Sequence, residues 1–240
     1  MFMRSHRQDY QRTEWGRARG TRAGETPAPP FRSGSRIGVR SSIRAVAMLF
    51  LLVPVAVQAG MIEAAKTVTD ARGQVGVTKS YDPSYRVLGY PGGDVPMETG
   101  VCCDVIVRAL RKQGLDLQKA LHEDMKSNFS RYPQKWGLTK PDSNIDHRRV
   151  PNLQTWFKRQ GYELPASKEP KDFQPGDVVA WDLGRGITHI GIVSDRASAG
   201  GVPLIIHNIG GGTQEEDILF RFTIIGRYRL QPKAAALPAP

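Results

Sequence analysis

The chain has 240 residues, with 34 basic and 23 acidic side chains and a formal charge of +11. Residues 1–59 hold ten arginines and three acidic residues, which is +7, and the remainder is only +4. The high isoelectric point therefore reports the leader, and a nucleic-acid partner is not expected.

Residues 1–40 are rich in Arg, Gly, Ser and Pro and hold too little apolar surface to offset the entropy of ordering. An apolar run of 15 residues follows, from Ala45 to Ala59, interrupted by Pro54. A bilayer-spanning helix needs roughly 20 apolar residues. Arg44 precedes the run and Val57-Gln58-Ala59 resembles a small-residue cleavage site, so a secretory signal peptide is expected, with no membrane span after processing. The leader is long for such a signal, and translation is expected to start downstream of Met1, near Val39. Residues 61–72 carry Ile62, Ala65, Val68 and Ala71 at helical spacing. Residues 76–100 read as irregular, with turns at Tyr81-Asp82-Pro83 and Tyr90-Pro91-Gly92. A helix is expected from Cys102 to about Gln113, closed by Gly114, and another over residues 116–126. A short helix over residues 151–160 has Pro in its first turn and Gly161 beyond its end.

After residue 170 the period changes. Residues 177–181, 189–193, 204–208 and 222–229 are β-branched or aromatic runs separated by Gly-rich turns, and they predict a meandering antiparallel sheet. Helices followed by strands argue for one α+β domain over residues 60–230. Residues 231–240 are an Ala/Pro-rich tail.

The two cysteines, Cys102 and Cys103, are adjacent. Neighbours cannot staple distant parts of a fold, and a bond between them would need strained geometry, so a disulfide framework is excluded. A free thiol in an exported chain points to reactivity. The turn Thr99-Gly100-Val101 delivers these thiols to a helix start, where the helix dipole favours thiolate. Spacing alone leaves Cys102 and Cys103 equivalent, since both lie on apolar helix faces. A base must lie within reach, together with a group that orients it. His189 opens one strand and His207 closes the next, and adjacent antiparallel strands can bring the two imidazoles together. Gly191 leaves space beside His189 for a helix or ligand to approach. The bland readings are an inert buried thiol and hydrogen-bonded strand histidines. His122 reads as solvated on a polar helix face, and His147 as a salt-bridged surface residue. Zinc sites favour close His or Cys pairs, which are lacking, so no metal or cofactor is expected.

Pro175-Gly-Asp-Val-Val-Ala-Trp181, His189-Ile-Gly-Ile-Val193 and Ile205-Ile-His207 resemble the second half of NlpC-type papain-like cysteine peptidases. The segments Tyr81-Asp-Pro-Ser-Tyr85, Tyr90-Pro-Gly-Gly-Asp-Val-Pro96, Gly100-Val-Cys-Cys-Asp104, Asn144-Ile-Asp-His-Arg-Arg-Val-Pro-Asn-Leu153 and Ile206-His-Asn-Ile-Gly210 resemble more closely a family of bacterial envelope proteins of unknown function that includes YijF. The likeness covers roughly residues 65–230. It implies a papain-like fold, with N-terminal helices packed on a C-terminal antiparallel sheet. It also implies Cys102 as nucleophile, because the family carries Gly-Val-Cys-Thr-Asp there and Cys103 stands in the threonine place. His189 is then the base and His207 the orienting residue, with Asn208 in reserve. Tyr90 would lie near the oxyanion site, and Asp104, Asp146, His147, Arg148 and Arg149 would contact charged peptide stems.

The expected function is an exported, periplasmic or secreted cysteine hydrolase. It would act as a monomer on amide bonds of peptidoglycan or of another peptide. The alternative is a catalytically silent binding module of the cell envelope. A thiol–disulfide oxidoreductase lacks the Cys-x-x-Cys spacing.

Overall fold

A computed structural model describes residues 62–230. The expected leader and signal at 1–59 and the tail at 231–240 lie outside the described residues. Four helices are α1 (Ala64–Arg72), α2 (Cys102–Arg111), α3 (Leu117–Asn128) and α4 (Val150–Arg159). A two-residue parallel pair, β1 (Ser80–Tyr81) and β2 (Thr99–Gly100), precedes α2. The five remaining strands are β3 (Val178–Asp182), β4 (Thr188–Ala197), β5 (Pro203–Asn208), β6 (Thr213–Glu216) and β7 (Thr223–Tyr228). They form one antiparallel sheet in the order β6-β5-β4-β3-β7. The fold is α+β, and among the described residues no helix is long and apolar enough to cross a membrane.

Local chemistry accounts for the helix limits. Asp116 caps α3 by accepting the Gln118 N–H at 3.1 Å, and this satisfies one of the orphan amides of the first turn. Gly114 takes φ +87° between α2 and α3, a conformation in which a Cβ is strained. Pro151 occupies the first turn of α4, where its missing N–H costs nothing. The helix α2 is the axis of the domain: every residue from Cys102 to Leu110 is buried. Val105, Ile106, Ala109 and Leu110 pack among Val68, Leu121, Leu153, Phe157, Ile190, Ile192 and Ile206, so the helices cover one face of the sheet. The other face has a smaller core of Val179, Trp181, Val193 and Ile205 under Phe173, Ile218 and Leu219. Trp181 is fully buried there and donates its Nε1–H to the Leu219 carbonyl at 2.9 Å.

Two features differ from the expected meander. The last strand, β7, returns to pair with β3 rather than extending the sheet beyond β6. The segment Thr213-Gln214-Glu215-Glu216 is a strand although it lacks an apolar alternation. The ladder with β5, not propensity, holds it extended.

Gly191 also has a different role from the one expected. A Cβ at this position would lie 2.6 Å from Ile205 Cγ2 and 3.1 Å from His207 Cβ. The space is filled by side chains of β5, not by a helix or ligand. Gly191→Ala should therefore destabilise the domain by about 1–3 kcal/mol through overpacking, read as a lower urea midpoint. An unchanged midpoint would show that β4 and β5 can separate freely at this point.

Candidate active site

Cys102 is the first residue of α2, at the positive end of the helix dipole. The carboxylate of Asp104 holds the turn before it by accepting the Val101 N–H at 2.6 Å. Arg148 locks that carboxylate in turn, with its Nε 3.1 Å from Oδ1 and its Nη2 3.0 Å from Oδ2. The same guanidinium donates to the carbonyls of Asp82 and Ser84. From the sheet side, Asn208 Nδ2 donates to the Ser80 carbonyl at 3.1 Å and to the Gly100 carbonyl at 3.0 Å. The turn that precedes Cys102 is thus clamped between β5 and the turn at Asp146–Arg148.

The sulfur of Cys102 meets three donors: the Cys103 thiol, the His189 side chain and the Ile190 backbone N–H. Together they hold the Cys102 thiol well below its ordinary range, the Cys103 hydrogen bond contributing most, and they outweigh the opposing effect of burial. Cys103 behaves oppositely: burial, with the sulfur of Cys102 beside it, pushes its thiol well above the ordinary range. Geometry thereby separates two thiols that are equivalent by spacing. His189 and the Ile190 amide reach Cys102, and the thiol of Cys103 lies beside it.

His189 and His207 lie edge to face, with Nε2 of His189 3.0 Å from Nδ1 of His207. The use of Nε2 leaves Nδ1 of His189 for the thiol. Trp181 stacks on the His189 ring at 5.7 Å between centroids. Burial, with His189 beside it, lowers the pKa of His207 to about 3, so its imidazole is neutral. The second nitrogen of His207 lies 3.1 Å from Oε2 of Glu216. Glu216 was missed in the sequence, where it stands in the acidic run Glu215-Glu216-Asp217 after the glycines. Cys102 is 3 % exposed, His189 2 % and His207 0 %. A molecule that reaches this thiol must therefore be slender, or segments over the thiol must move.

The other expected site residues have partners of their own. Asn208 is committed to the β1–β2 carbonyls, and it is His207 that reaches His189. Tyr90 rests edge to face on His122 of α3 at 5.1 Å, with Glu123 and Asp116 as its charged neighbours. His122 is accordingly half-buried under that ring, not solvated. Asp104, Asp146, His147 and Arg148 are all buried, and the first and last pair with one another beside the turn that precedes Cys102. They are as enclosed as Cys102 itself. Asp146 accepts the Asp142 N–H and pairs with Arg149, whose guanidinium also lies over the Trp136 ring at 4.1 Å. Burial raises the Asp146 carboxyl to about 6. His147 is enclosed, its Nδ1 has no hydrogen-bond partner, and burial lowers its pKa to about 4. Among the described residues, no group of three or more His, Cys, Asp or Glu is arranged to hold a metal ion.

A family described as "Domain of unknown function (DUF1287)" matches residues 68–230. The chain is also similar to "Uncharacterized protein YijF" of Escherichia coli (strain K12), 61% identical over 159 residues. That alignment covers 66% of this chain and 78% of the relative. No solved structure matches.

Two predictions arise from the site. Cys103→Ala removes the main donor to Cys102, so the pH profile of Cys102 alkylation should shift to higher pH. Cys103→Thr keeps an O–H donor and should shift less. Identical profiles for wild type and Cys103→Ala would refute the donor role. The second prediction concerns His147. Below pH 6.5 the unfolded chain binds a proton there that the folded chain refuses until about pH 4, so stability falls as pH drops through that window. Asp146, with its raised pKa, acts in the opposite direction between 3.8 and about 6, so the comparison must isolate His147. Over the window below pH 6.5, wild type should lose up to about 3 kcal/mol more than His147→Gln in urea titrations.

Proposed function

The chain belongs to the DUF1287 family of domains of unknown function, and we propose that it is a papain-like cysteine hydrolase of the NlpC type that works in the cell envelope on amide bonds of cell-wall peptides. One observation carries this reading: the buried chain from the Cys102 thiol through His189 to His207, with 3.0 Å between the imidazoles. A nucleophile at a helix start, a base on the adjoining strand and a third group that orients the base are the parts that thiol acyl transfer requires. The apolar run at residues 45–59 supports export, and the resemblance of the segments around Cys102, His189 and His207 supports the peptidase class.

In this mechanism the proton of Cys102 resides on Nδ1 of His189, and the thiolate attacks the carbonyl carbon of the substrate amide. The backbone N–H of Cys102, which no helical carbonyl uses, would donate to the oxyanion with a second donor. His189 then returns the proton to the leaving nitrogen as the C–N bond breaks. Water attacks the thioester, losing a proton to His189, and the carboxylic acid departs as the thiol is regenerated. His207 stays neutral throughout and accepts from Nε2 of His189. The enzyme would act as a monomer, with peptidoglycan or another peptide amide as its partner.

The enclosure of Cys102 favours a second reading, a papain-like module that binds wall peptides without turnover. Incubating purified cell-wall fragments with wild type and with Cys102→Ala separates the two. The hydrolase reading expects new fragments by mass spectrometry with wild type only. Binding of fragments by both proteins with no new masses would establish the silent module.

A further inference from the structure

The strand register places a fourth member at the end of this chain of groups. In the β5–β6 ladder His207 faces Gln214 and Ile205 faces Glu216. Residues opposite one another share a face, and so do residues two apart. His207 and Glu216 are therefore diagonal neighbours on one face, a separation that long side chains span. The same holds one strand over. Ile192 faces Ile206 in the β4–β5 ladder, so the next pair outward sets Gly191 opposite His207 and leaves His189 on the diagonal. With no side chain at Gly191, the ring of His207 can lean across to His189. The hydrogen bonds then cross three adjacent strands in one direction: His189 on β4, His207 on β5 and Glu216 on β6. Slipping β6 by one residue would turn Glu216 to the opposite face.

With His207 neutral, the donors and acceptors along this line admit one assignment. A carboxylate can only accept, so His207 Nε2 must carry the hydrogen that points at Oε2 of Glu216. In a neutral imidazole the other nitrogen is then an acceptor, which obliges His189 to donate from Nε2 and to turn Nδ1 toward Cys102. We propose that Glu216 is a positioning residue that fixes the tautomer of His207 and, through it, the orientation in which His189 takes the proton of Cys102. The groups facing His207 are His189 from β4 and Glu216 from β6, and Cys102 joins from α2 through His189. The neighbouring carboxylate, Glu215, is engaged instead with Arg72, Ser194 and Arg196. It provides a control of equal charge one residue away.

This inference rests on the reading of Cys102 and His189 as a working pair, but its test does not require a substrate. In the purified full chain, the rate of Cys102 alkylation is followed against pH in wild type, Glu216→Ala, Glu216→Gln and Glu215→Gln. The protonated nitrogen of His207 is identified by 15N chemical shifts. Glu216→Ala should mix the His207 tautomers and lower alkylation at mildly acidic pH by about tenfold, the low end of what loss of an outer partner of a histidine costs. Glu216→Gln offers a carbonyl acceptor and should recover most of the rate. Glu215→Gln should leave both readouts unchanged. A wild-type tautomer and alkylation profile in Glu216→Ala would overturn the inference, and so would an equal loss in Glu215→Gln. If the wild-type thiol titrates in the ordinary range, the hydrolase reading falls. The role of Glu216 is then decided by the His207 tautomer alone.

Discussion

The buried ion pair between Asp104 and Arg148 is the interaction on which the site depends. Its two side chains are about 4 % and 2 % exposed, so neither charge has water to fall back on. A buried pair of this kind is weak evidence for stability by itself, because desolvation offsets much of the attraction. Its value here is positional. Asp104 lies two residues beyond Cys102 and holds the amide one residue before it. Arg148 adds the carbonyls of Asp82 and Ser84 to the same cluster. Three stretches of chain, at 82–84, at 101–104 and around Arg148, are thereby joined beside one sulfur.

The clamp sits where the apolar core meets a polar line of side chains. Behind Cys102, α2 is buried as far as Leu110 against the sheet, which fixes where the helix starts. Ahead of it, the donors converge from Cys103, His189 and the Ile190 amide. The dipole of α2 adds to them in favouring negative charge. The polar line continues outward from the buried thiol through two imidazoles to Glu216, whose side chain is 43% exposed. Burial keeps His207 neutral, and a neutral ring can accept at one nitrogen while it donates at the other. The arrangement thus needs both the dry interior and the wet edge of the sheet.

Much of the architecture was legible in advance. The helices at Ala64–Arg72, Cys102–Arg111, Leu117–Asn128 and Val150–Arg159 follow their apolar spacing, caps and glycine stops to within a few residues. Four strands of the sheet follow their β-branched runs. The strand β6 was not legible, because Thr-Gln-Glu-Glu has no alternation, and only pairing with β5 makes it a strand. The return of β7 to β3 was likewise hidden, since periodicity carries no information on strand order. The charged run Asp146-His147-Arg148 was misread for a related reason. Charged residues are usually exposed, and here the partners that make the burial of Arg148 tolerable, Asp104 and the carbonyls of Asp82 and Ser84, lie 44 to 66 positions away.

The sequence by itself determined the chemical inventory: an adjacent thiol pair at a helix start, two histidines at the ends of neighbouring strands, and a glycine two residues beyond the first of them. These are local properties, set by residue type and by spacings within single elements. The choice between Cys102 and Cys103 had to come from resemblance, because both positions are apolar on a helical wheel. Only the tertiary structure separates them physically, since His189 and the Ile190 amide reach one sulfur and not the other. It also decides that His207 rather than Asn208 meets His189, and that Glu216 meets His207. Those contacts depend on strand register and on which way a side chain leans across a bare glycine, and neither quantity is written in any local stretch of chain.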